Sequence, residues 1–326
     1  MRTLCALLLI LPGLVLAADE KPAPTERAAP SPAGQAQARQ QRVAEASDPD
    51  QVRWLEADGQ RFLALYSANL SADSKGGVLI VHGEALQPGW PTSLSRLRET
   101  LPLSGWHALA LGLAPPAPTP PPARVLPAFE TAPSAAKPRG KVASEDAQAT
   151  ARANAAAPDL PAPAASPPAD PGEAGDAQAR IASGVAFLRG LGIESVVIVG
   201  EGRGALAAAR YLQGLAPAGE DGTGGIPALV LVDPDHQDAG AGLSLTACIK
   251  ALRIPTLDIA TGYAPRAREQ ARERQRAARS LPAGRYQQVQ VPPAAGGLDN
   301  PTDRISQRIS GWIDSRLGGE DRAARP

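Results

Sequence analysis

The strongest constraint on this chain is a series of short, continuous apolar runs separated by helical patterns. Gly77–His82 (GVLIVH) and His107–Leu111 are continuous apolar runs of six and five residues, and Ser195–Val199 (SVVIV), Ala228–Val232 (ALVLV), Thr256–Ala260 and Tyr286–Val291 supply four more strands. Unbroken apolar runs of that length are expected of strands buried on both faces. Arg61–Ser67 alternates instead, as a half-buried antiparallel strand would. Between the runs, Thr92–Leu101, Gln178–Gly190, Gly204–Leu215, Leu243–Leu252 and Ala264–Ser280 carry residues at helical spacing. A last helix is signalled from Pro301, with Asn300 as N-cap and Ile305, Ile309, Trp312, Ile313 and Leu317 as its apolar stripe. The fold class that follows is α/β, a mostly parallel sheet flanked by helices.

Two stretches break this pattern. Residues 18–47 are rich in Pro, Ala and Gln without an apolar period and read as a disordered tether. Residues 114–177 hold 15 of the chain's 34 prolines and read as a disordered insertion, because such a segment cannot offset its ordering entropy by burial. The domain is thus expected in two parts, 48–113 and 178–318, with a polar tail at 319–326. Residues 1–17 have the layout of a secretory signal peptide: Arg2, an apolar run from Leu4 to Leu16, then Ala17 and Ala18. The run is too short for a membrane anchor. A soluble periplasmic protein is the expectation, and removal of Cys5 with the signal would leave Cys248 as a lone buried thiol.

Charge and composition exclude several functions. Lys and Arg together equal Asp and Glu at 33 each, so no general attraction to nucleic acid arises. Three His and two Cys leave no His-rich metal site or zinc ribbon, and no metal or cofactor is expected. One segment departs from neutrality. Ala264–Ser280 carries six Arg and two Glu, so a helix over Arg266–Arg279 reads either as a solvated outer helix or as a contact for anionic lipid or envelope polymer.

Two turns at strand ends could carry chemistry. The first is His82-Gly83-Glu84. The second, Gly200-Glu201-Gly202-Arg203-Gly204, joins a strand to an Ala-rich helix. A His-Gly turn followed by a later strand–Gly-x-x-x-Gly–helix resembles the α/β-hydrolase superfamily, whose nucleophile elbow is flanked by small residues. The phrases GGVLIVHGEALQPGWP, VVIVGEGRGALAAARYL, ALVLVDP and RIPTLDIATG further resemble an exported bacterial α/β-hydrolase-like family of unknown function. The resemblance implies an oxyanion-type turn at His82 and Gly83, and an elbow centred on Gly202. It also implies an acid position near Asp233 or Asp258. Two elements of that pattern are missing: the elbow centre is glycine, and no His follows His236. Without nucleophile and base, the covalent route and the proton shuttle are lost.

The expected function is therefore a non-catalytic binding or interaction protein, with a small ligand or a periplasmic protein as partner. Two alternatives remain. One is a hydrolase with displaced catalytic residues. The other is a dinucleotide-binding oxidoreductase using Gly200-x-Gly202-x-x-Ala205, with Asp233 ending the next strand.

Overall fold

A computed structural model describes residues 32–83, 94–114, 171–215, 225–235, 244–262, 264–291 and 301–317. The expected signal peptide, Glu84, His236, residues 115–170 and the tail at 319–326 lie outside the described residues.

Among the described residues, eight strands form one sheet: β1 (Val52–Ala57), β2 (Gln60–Ser67), β3 (Gly76–His82), β4 (Trp106–Gly112), β5 (Val196–Glu201), β6 (Leu229–Val232), β7 (Thr256–Ala260) and β8 (Tyr286–Gln290). Their order is β1-β2-β4-β3-β5-β6-β7-β8. β2 runs antiparallel to β1 and β4, and every other pairing is parallel. The sheet is thus the mostly parallel one that the alternation of strands and helices implied.

Each central strand feeds two cores, because successive side chains point to opposite faces. Leu79 and Val81 of β3 and Ile198 of β5 pack under helix α3 (Pro171–Gly190), through its Ile181, Val185 and Leu188. The same layer holds α4 (Arg203–Gly214) and α5 (Leu245–Lys250), through Ala205, Ala208, Leu245 and Cys248. Val78, Ile80, Val197 and Val199 face the other way, toward Leu97 of α2 (Ser95–Thr100) and Ile305, Ile309 and Ile313 of α7 (Pro301–Leu317). Helix α6 (Pro265–Ala277) lies between β7 and β8 in sequence. Among the described residues, no helix is long and apolar enough to cross a membrane.

The structure departs from the sequence reading near the N-terminus. Residues 32–46, expected within a disordered tether, form helix α1 (Pro32–Ala46). Val43 packs on Leu63 and Leu65, and the Gln40 side chain accepts a hydrogen bond from the Leu63 amide at 3.1 Å. Past Pro32 the segment is mostly Ala, Gln and Arg, all good helix formers, and docking on β2 supplies the rest. Strand β1 is a further addition to the sequence reading. It pairs with β2 across a two-residue turn, Asp58-Gly59, with φ of 48° and 73°. Both values are positive, as the hairpin turn favoured by Asp-Gly requires. Helix α3 likewise starts at Pro171, several residues inside the expected insertion, with proline at a first position where its missing N–H costs nothing.

Candidate functional site

Strands β3 and β5 are parallel neighbours, with Val81 opposite Gly200. That register brings the two turns together at the carboxyl edge of the sheet, where open α/β folds bind ligands. His82 ends β3 with its side chain only 8% exposed, and its Nδ1 lies 3.4 Å from Oε2 of Glu201 at the end of β5. The next residue, Gly83, lies flat against the second turn. A Cβ there would sit 2.9 Å from the Arg203 nitrogen and 3.0 Å from the Glu201 carbonyl oxygen.

The second turn is tighter still. A Cβ on Gly200 would come within 2.5 Å of the Ala205 Cα, and one on Gly204 within 2.2 Å of the Val81 carbonyl oxygen. Only glycine lets α4 begin this close to the sheet. Between them, Gly202 takes φ 56° and ψ −119°, a backbone that L-residues adopt only under strain. Among the described residues, a Cβ built on Gly202 would meet nothing within 4 Å. The apex is held by backbone bonds: Gly202 N–H donates to Val232 O at 3.0 Å, and Gly202 O accepts from the Asp235 amide at 3.0 Å. Arg203, first in α4, donates to the Ala114 carbonyl at 3.4 Å, where the chain leaves β4.

The chain belongs to the DUF3530 family. Members are described as proteins of unknown function, and the family's profile matches residues 1–315. No curated protein matches the chain. Among solved structures, the chain is similar to the esterase domain of a Rhodothermus marinus protein (TM-score 0.49, 10% identity, covering 82% of this chain and 98% of that one). Est1E from Butyrivibrio proteoclasticus gives TM-score 0.48 at 10% identity, covering 82% and 99%. A dienelactone hydrolase from Anabaena variabilis gives 0.48 at 15% identity, covering 82% and 99%.

The two aspartates singled out in the sequence have different surroundings. Asp233, just past β6, has a positive φ of 41°. Its Oδ1 accepts the Thr261 amide at 2.7 Å, and its Oδ2 pairs with the Thr261 hydroxyl, tying the end of β6 to the end of β7. Asp258 sits in mid-strand on β7 and is fully buried. Arg274 of α6 donates to both its oxygens, Nε at 2.7 Å and Nη2 at 3.1 Å. The Tyr286 hydroxyl and the Gln288 amide, at 2.8 Å, donate to its Oδ2 from β8. Burial, then the Asp258 charge and hydrogen bond, push the Tyr286 phenol well above its ordinary value. Burial alone would lower the Arg274 guanidinium, but Asp258 outweighs it and the net direction is upward.

Sequence reasoning missed these partners of Asp258, with Arg274 counted only as one of six arginines. A signal was available: Arg274 shares a helical face with Ala271 and Ala277, the face that is buried.

Proposed function

We propose that this chain is an exported, α/β-hydrolase-like binding protein that works without a catalytic triad. Its ligand site would be the carboxyl edge around His82, Gly83 and Gly202. The observation that carries this reading is the apex of the β5–α4 turn. Its φ and ψ are those of a strained strand-to-helix elbow, and no described residue comes within 4 Å of where a side chain would project, yet the residue is Gly202. The rest agrees. No His follows His236 in the sequence, so none is available after β8 to serve as base. Asp258 is buried against Arg274, and Asp233 is occupied by Thr261. The dinucleotide alternative draws less support, since both oxygens of the Asp233 carboxylate are already engaged where a ribose would need them.

The test is Gly202→Ser in the full chain, assayed on short-chain esters. No described residue obstructs a side chain at this position, so the hydroxyl fits, but the sequence has no His after β8 to activate it, so turnover stays at the wild-type background. Ester cleavage by the variant that disappears on adding His82→Ala would overturn the reading. A thermal-shift screen against acyl lipids, cell-wall fragments and nicotinamide or flavin cofactors then seeks the ligand. Saturation at about 100 times the dissociation constant adds about 2.7 kcal/mol.

A further inference from the structure

We infer that the solvent face of α6 is a docking strip for a linear polycarboxylate. The chain as a whole is neutral, but residues 250–285 hold nine Lys and Arg against three Asp and Glu. Asp258 and Arg274 neutralise each other inside the protein, so the excess belongs to the surface. Arg274 also sets the rotation of the helix. Held from below by Asp258, it turns the buried face Ala271–Arg274–Ala277 toward the sheet. Arg268, Arg272 and Arg276 consequently fall together on the opposite, exposed side, and exposed Arg279 continues the row in the short 3-10 helix Ala278–Ser280 that follows. At helical rise they span about 16 Å, a narrow row suited to one extended polymer strand.

The chemistry of the occupant is indicated by Glu269. Its carboxylate lies 2.9 Å from Arg276 and 3.6 Å from Arg272, so the strip already seats one carboxylate between arginines on successive turns. Guanidinium groups match carboxylates in planar, paired hydrogen bonds. A lipid bilayer fits less well, because an interfacial helix needs large apolar residues and, past Pro265, the exposed positions of α6 offer Arg, Glu and Gln. Single-stranded nucleic acid would want aromatic stacking residues, and α6 has none. This strip is separate from the β3–β5 edge, so its failure leaves the proposed function untouched.

The probe is polygalacturonate, titrated against the full chain at low and moderate salt. Replacing Arg268, Arg272, Arg276 and Arg279 by Gln together is expected to weaken binding at least tenfold. Neutralising four exposed arginines elsewhere (Arg42, Arg61, Arg304 and Arg308) should leave it within twofold. Glu269→Gln, a single surface change that keeps the fold, should tighten binding severalfold by removing the internal competitor. For about four contacts, the logarithm of affinity should fall against the logarithm of salt with a slope near −3, by analogy with single-stranded polyanions. Absence of wild-type binding at low salt would overturn the inference. So would equal losses in both arginine sets, or stronger binding to polyphosphate or phosphatidylglycerol vesicles than to polygalacturonate.

Discussion

The β5–α4 turn and the β7–β8–α6 corner invert what residue types alone suggest. The turn has a strained backbone and is built of glycine: Gly200 and Gly204 leave no room for a Cβ, while a Cβ on Gly202 would meet no described residue within 4 Å. The corner has the side chains of a reactive site, Asp258, Arg274, Tyr286 and Gln288, but closes them around a fully buried carboxylate. One region is held by backbone approach, the other by a polar network. Residue chemistry marks a site only where the fold leaves it accessible, and access is a property of packing.

That contrast can be broken most directly at Arg274. Arg274→Ala leaves Asp258 buried without its counter-charge, and breaking such a pair costs about 3–5 kcal/mol. Chemical denaturation should show the loss as a lower midpoint. If the variant lost less than about 1 kcal/mol, the corner would not depend on its ion pair, and the contrast with the turn would disappear. A smaller effect is expected at the turn. Gly204→Ala forces a methyl toward the Val81 carbonyl, at an overpacking cost of about 1–3 kcal/mol. An unchanged denaturation midpoint relative to wild type would mean that α4 can withdraw from the sheet to admit the methyl.

The smallest expected effect is a pH slope far from both regions. His107 Nδ1 accepts from the Asn69 amide at 3.3 Å and pairs with the Tyr66 hydroxyl at 2.7 Å. Burial lowers the His107 pKa below its ordinary 6.5. Neutral His107 is therefore favoured by folding, and its contribution is fully present above pH 6.5. It fades as pH falls from 6.5 toward the lower folded value. Thermal midpoints from about pH 7.5 to about pH 5 should decline less steeply in His107→Gln than in the wild type. Identical slopes would remove His107 as a source of acid sensitivity.

Legibility in the sequence followed the range of the interaction. The central strands were readable because burial on both faces writes an unbroken apolar run, as in GVLIVH and SVVIV. The β3 and β5 turns were readable because sharp turns need glycine at fixed offsets. Strand β1 and helix α1 were not. VRWLEA is half-buried and mixed in polarity, and α1 takes its place from Val43 and Gln40 meeting β2, with Gln40 and its partner Leu63 separated by 23 positions along the chain. The Asp58-Gly59 turn was the one local clue to that hairpin.

Periodicity and residue identity alone establish the alternation of strand and helix, the glycines of the two turns, and the absence of any His after His236. Those are local facts, legible without knowing what lies alongside. Three features waited on the assembled sheet: the strand order that sets His82 beside Glu201, the strained φ of Gly202, and the capture of Asp258 by Arg274, Tyr286 and Gln288. Each depends on segments distant in the chain coming into contact, and only the packing of the sheet brings them there.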